Sequence, residues 1–155
     1  MPNRLSAGFS RPGINSANSP VVNLMNTGTA LRLYVVEVSV GIAVAPSTAP
    51  AFYLSRATAR GTQSATLAGQ PHDPADAGTP AGTLDTTWSV NPTFSTSNFL
   101  QRGSLAVTAG GMLVWTFYDE PIVITNATSA GLVLANANAS GATTGTFTGY
   151  VSWTE

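Results

Sequence analysis

Residues 31–44 read LRLYVVEVSVGIAV, and the fold turns on how that stretch is read. Apolar residues recur at every second position. Tyr34, Val36, Val38, Val40, Ile42 and Val44 share one parity; Leu33, Val35, Glu37, Ser39, Gly41 and Ala43 share the other. Successive side chains of a strand point to opposite faces, so a period of two predicts a β-strand. The first set is expected to face a core. The second is mixed and carries a mid-strand carboxylate, Glu37, which needs a partner there because an unpaired charge would be costly.

The pattern continues outward from this strand. Pro46 and Pro50 end it, and AFYLSRATARGT at 51–62 predicts a second strand with Phe52, Leu54, Arg56, Thr58 and Arg60 on one side. Arg56 is the expected cross-strand partner of Glu37, a structural ion pair. Residues 69–83, GQPHDPADAGTPAGT, form a long loop rich in Pro and Gly. The segments TTWSV, FLQRGSLAVTA, GMLVWTFYD, PIVIT, AGLVLANA and TGTFTGYVSWTE then read as strands separated by Gly, Asn and Pro signals. No segment has convincing helical spacing, and no internal repeat is present. An all-β fold is expected: a single jelly-roll-like β-sandwich or barrel over residues 20–155. Residues 1–19 have no periodicity and only isolated apolar residues, Leu5, Phe9 and Ile14, so they read as an extended N-terminal arm.

Composition narrows the function. The chain has 155 residues, enough for one domain with one core. Only 8% are charged, against roughly 25% in typical soluble domains. All six basic residues are Arg. Such a surface is poorly protected against association, a liability for a free monomer and unremarkable for a subunit of a large assembly. A net charge of −1 without a basic stripe argues against nucleic-acid binding. Without cysteine there are no disulfides, thiolate metal sites or cysteine nucleophiles. The N-terminus lacks a signal-peptide core, and the most apolar run is interrupted by Glu37 and Ser39. Neither a secretory leader nor a membrane span is expected, and the chain reads as soluble and made in a cytoplasm.

The strongest chemical candidate is LVWTFYDEPIVI at 113–124. Its carboxylates, Asp119 and Glu120, are adjacent and so point apart, whereas a glycosidase pair sits about 5–10 Å apart across a substrate. Pro121 removes a ladder donor. The stretch reads as two strands and a polar corner. His72 stands with Asp73 and Asp76 in a loop that reads as solvated or as a contact, with a hard-oxygen metal site as the alternative. No nucleophile signature or second His supports an enzyme, and no cofactor is expected. Sequons at Asn126 and Asn138 carry little meaning without a secretory signal. Trp115, Phe117, Tyr150 and Trp153 are candidates for core or subunit-interface aromatics.

The order RATARGT (56–62), HDPADA (72–77), NPTF (91–94), FLQRGSLAV (99–107), AGLVLANANAS (130–140) and the closing VSWTE resembles the head decoration, or cement, proteins of tailed bacteriophages. The resemblance covers residues 32–155. It implies a jelly-roll-like domain that assembles as a homotrimer on the capsid exterior and clamps neighbouring copies of the major capsid protein. It implies no catalytic residues and a virion location after synthesis in the host cytoplasm; the expectation of no nucleic acid and no membrane rests on charge and hydropathy instead. The arm is not covered by the resemblance. Its assignment as a capsid-binding segment, through Arg4, Leu5, Phe9, Arg11 and Ile14, follows from its aperiodic composition. The alternative is a fibre or tail domain, or a lectin-like jelly roll binding host glycans, with Trp88, Trp115 or Tyr118 exposed in a groove.

Overall fold

A computed structural model describes residues 3–14, 17–27, 31–75, 78–127, 129–138 and 143–155; of residues 13, 14, 143 and 144 only the backbone is described. The strands in chain order are β1 (Arg4–Ile14), β2 (Ser19–Asn26), β3 (Leu33–Val44), β4 (Ala51–Ala59), β5 (Thr62–Ala68), β6 (Gln70–Pro71), β7 (Gly82–Val90), β8 (Thr93–Phe94), β9 (Gln101–Ser104), β10 (Met112–Thr116), β11 (Ile122–Ile124), β12 (Gly131–Asn136) and β13 (Thr143–Thr154). No helix occurs among the described residues.

The strands form two antiparallel sheets. Sheet A has the order β10-β3-β13-β1-β6, with β11 also on β3; sheet B has the order β5-β7-β2-β12-β4-β8, with β9 also on β4. One apolar cluster joins the inner faces, with Leu5, Phe9, Val38, Val40, Phe147 and Trp153 from sheet A and Val22, Leu24, Phe52, Leu54, Leu84 and Leu134 from sheet B. Phe52 and Phe147 meet across the layers edge to face, centroids 5.1 Å apart. The expected all-β sandwich is what the chain forms. The sheets keep free edges and do not close into a barrel.

The N-terminal segment corrects the expectation of an arm. Residues 4–14 form β1, which pairs with β13 from Arg4↔Thr154 to Ile14↔Thr143 and with β6 at Leu5 and Ser6. Alternation is present but masked by small residues: Leu5, Ala7 and Phe9 are buried, while Gly8 and Ser10 face out. A strand whose outward positions are Ser and Gly lacks the polar half of the usual signature, which is why the segment reads as aperiodic.

β3 corrects the second expectation. Opposite β13, Ser152 pairs with Glu37 and Trp153 with Val35, which leaves Val36 as an extra residue. A one-residue bulge reverses the parity of everything beyond it. The core therefore takes Leu33 and Val35 before the bulge and Val38, Val40 and Ile42 after it. Tyr34 is turned out and Glu37 stands on the outer face.

The middle of sheet B is covered on both sides. All six residues of β12 are buried. Leu132 and Leu134 enter the main core, whereas Val133 and Ala135 join Met25, Tyr53 and Ala57 in a second cluster on the other face. The segment after β8 closes that cluster: Phe99 lies 4.5 Å from the Tyr53 ring centroid to centroid, and Ser55 Oγ donates to Ser95 O at 2.9 Å. Burial on both faces accounts for the unbroken apolar run GLVLA at 131–135.

The C-terminal residue contributes a clamp that sequence reading missed. Glu155 Oε1 accepts from the backbone N–H groups of Ala81 and Gly82, each at 2.9 Å, and from the Trp153 indole at 3.0 Å. Charge-assisted bonds to buried donors are worth about 1.5–3 kcal/mol each, less where water replaces them. Glu155→Ala is expected to lower stability by about 2–3 kcal/mol in urea unfolding; an unchanged midpoint would show the clamp to be idle.

Candidate functional site: the outer face of sheet A

The outer face of sheet A carries a polar basin of about 360 Å³ lined by Arg4, Ser6, Glu37, His72, Tyr150 and Ser152. β1 and β13 bring two side chains each and β3 one, for reasons already in the register. β1 and β13 run antiparallel with Arg4 opposite Thr154 and Ser6 opposite Ser152, so their outward residues interleave. Glu37 stands opposite Ser152 on the other side of β13, held outward by the Val36 bulge. His72 follows β6 and is tied back by its N–H to Arg4 O at 2.8 Å.

The groups hold one another. The hydroxyls of Tyr118 and Tyr150 each donate to one carboxylate oxygen of Glu37. Arg4 Nε donates to Ser152 Oγ at 3.1 Å and its Nη2 to Tyr118 Oη at 3.4 Å, with the guanidinium 5.6 Å from the Tyr118 ring centre. His72 Nε2 lies 3.1 Å from Ser6 Oγ. Tyr118 comes from the corner between β10 and β11 and also lines an adjoining hollow of about 380 Å³ with Thr116, Phe117, Asp119 and Glu120.

Electrostatics follow from these bonds. Hydrogen bonds from Tyr118 and Tyr150, helped by Arg4, hold the Glu37 carboxyl below its ordinary value. The bond to Glu37, with some burial, raises the Tyr150 hydroxyl above its own. Glu37 therefore adds stability that is complete above the unfolded carboxylate range and lost as the pH falls through its lowered folded value. Tyr150 adds stability that is complete below about pH 10 and lost as the pH rises further. Wild type is expected to melt above Glu37→Gln at neutral pH, with the gap closing towards about pH 3; a gap independent of pH would rule out this linkage.

The expected site residues are distributed as follows. Trp115 and Trp153 are core, and Phe117 packs partly buried against that core. Trp115 is therefore no stacking platform. Tyr150 belongs to the basin. Glu37 and Arg56 do not pair: they lie in different sheets, and Arg56 donates instead to Val123 O. The ion pair found among the described residues is Arg60–Asp85, at 2.7 Å. Of the supposed arm, Leu5 and Phe9 are core, Arg4 lines the basin, and Arg11 lies 6.0 Å from the Trp88 ring centre. Ile14 pairs with Thr143 through its backbone, and its side chain lies outside the described residues. Asp73 Oδ1 accepts from Ala75 N at 2.9 Å, whereas Asp76 lies outside the described residues. No group of three metal-ligating side chains occurs among the described residues.

LVWTFYDEPIVI forms the two strands and corner that its sequence predicts. Both strands pair with β3, β10 along residues 37–41 and β11 along 33–35, so the corner is an excursion from one edge. Beyond the basin this face is nearly without charge. Gly8, Ser10 and Gly41 are small, and Val44, Met112 and Val114 are exposed at 56%, 64% and 43%. No protein-family model matches the chain, and no curated protein matches it in sequence.

Proposed function

We propose that the chain is a structural protein of a bacteriophage virion: a decoration, or cement, protein that sits on the outer capsid surface as a homotrimer and bridges neighbouring copies of the major capsid protein. The observation that carries this reading is the outer face of sheet A, where Val44, Met112 and Val114 lie exposed on a surface almost free of charge. Surfaces of that kind associate. The ordered motifs in residues 32–155 support the virion assignment, and the β-sandwich is compatible with the jelly-roll-like domain that the resemblance implies. Binding at many equivalent lattice points multiplies modest contacts into full occupancy. The capsid contact is made by loops and faces of the folded domain, since residues 4–14 are committed to sheet A.

Native mass by light scattering, followed by pelleting with capsids of the same virus, tests the proposal. A trimer that co-pellets to saturation upholds it, and a monomer that ignores capsids overturns it. The double substitution Met112→Glu and Val114→Glu is expected to convert trimer to monomer while leaving the melting temperature of the subunit within a few degrees, as exposed positions allow.

A further inference from the structure

We infer that the Arg4–Glu37–Tyr118 basin is a binding site for a neutral saccharide. Three observations converge on hydroxyl-rich ligands. First, donors and acceptors alternate within hydrogen-bonding reach: Arg4 donates, Glu37 accepts, and Ser6, Tyr150 and His72 do either. A pyranose presents vicinal hydroxyls that ask for such a mixture, and every one left unpaired on binding would cost affinity. Second, Tyr118 is 55% exposed at the rim, and with the Arg4 guanidinium over one side of its ring, the other side offers an apolar face for the C–H side of a sugar ring. Third, the volume of about 360 Å³ lies in the range of small-ligand sites, about 300–1,000 Å³, and admits the end of an oligosaccharide but not a folded partner.

Charge decides between saccharide classes. Arg4 is balanced by Glu37 inside the basin, and Asp119 and Glu120 add negative charge at the adjoining hollow. An anionic sugar would meet net repulsion there, and a neutral one would not. The groups are also fixed before any ligand arrives. Glu37 is held by two tyrosines and Arg4 by Ser152 and Tyr118, so little side-chain entropy remains to be lost on binding. The basin and the apolar residues Met112 and Val114 share a face but no residues, so this site stands apart from the trimer and capsid reading.

Saturation-transfer NMR on the full chain tests it, using methyl glycosides of glucose, galactose, mannose and N-acetylglucosamine, their short oligomers, and sialyllactose as the anionic probe. Expected are transfer to at least one neutral probe, shifts of the Tyr118 and Tyr150 ring signals, and a loss of affinity of about tenfold or more in both Tyr118→Ala and Glu37→Gln. Met112→Glu with Val114→Glu should leave binding intact, which separates failure of this site from failure of assembly. No transfer to any neutral probe, binding confined to sialyllactose, or binding that survives both basin substitutions would each overturn the assignment. Tyr118 is an exposed corner residue outside the core, so its substitution leaves the core intact and removes only its contacts with Glu37 and Arg4.

Discussion

Deleting residues 1–14 is expected to abolish folding: no cooperative thermal transition, and insoluble or unstructured protein. The segment contributes Leu5, Ala7 and Phe9 to the core and covers one edge of β13 along its whole length. Losing buried Leu and Phe side chains costs about 2–5 kcal/mol each, already comparable with the 5–15 kcal/mol of a typical domain. Removing the ladder as well leaves no margin. Phe9→Ala alone is expected to cost about 3–4 kcal/mol and to retain the fold at low temperature. Circular dichroism melts of the two variants check this. A truncated chain with a native-like transition would restore the idea of a separable arm.

Arg60→Ala carries the second large effect, about 3 kcal/mol. Asp85 is fully buried on the outer side of sheet B, and Arg60 closes over it with Nε to Oδ2 at 2.8 Å and Nη2 to Oδ1 at 2.7 Å. Nη2 also reaches Thr83 Oγ1 at 3.2 Å. The two-pronged pairing with Asp85 holds the Arg60 guanidinium above its ordinary basicity. Taking the arginine away strands a carboxylate in the interior, and most of the penalty belongs to that stranded charge rather than to the lost bond. The double variant Arg60→Ala with Asp85→Asn is therefore expected to recover more than half of the loss, because a neutral amide needs no counter-charge. Urea midpoints across the cycle give the coupling; a double variant as unstable as Arg60→Ala would place the cost elsewhere.

The fold class was legible because most strands alternate openly, as in residues 31–44, and because turn residues separate them. Register was less so. The Val36 bulge is invisible in a sequence where Val occupies both parities, and it sends Leu33 and Val35 rather than Tyr34 into the core while Glu37 stays on the outer face. Pairing by proximity in sequence failed there: adjacent predicted strands β3 and β4 belong to different sheets. Asp85 offered a faint signal, the one charge in its strand, with Arg60 near in sequence as a candidate partner. Glu155 offered another, sharing a parity with Trp153 two residues before it. The basin was the least accessible feature. Arg4, Glu37, His72, Tyr118 and Tyr150 are scattered along the chain, each unremarkable alone, and only the strand order β10-β3-β13-β1 gathers them.

That strand order also sets a sequence of events. β13 lies at the centre of sheet A, between β3 and β1, yet it is the last of the thirteen described strands to leave the ribosome. Until it emerges, nothing bridges β1 to β3, and Phe147, Val151 and Trp153 are missing from the core. Folding must therefore await synthesis of the whole domain and close its longest loops at once, the slow regime for β-proteins. Nascent chains expose apolar strands meanwhile, with few charges to keep them apart. Where copies are translated side by side, prompt arrival of β13 becomes the event that separates a folded chain from an aggregate.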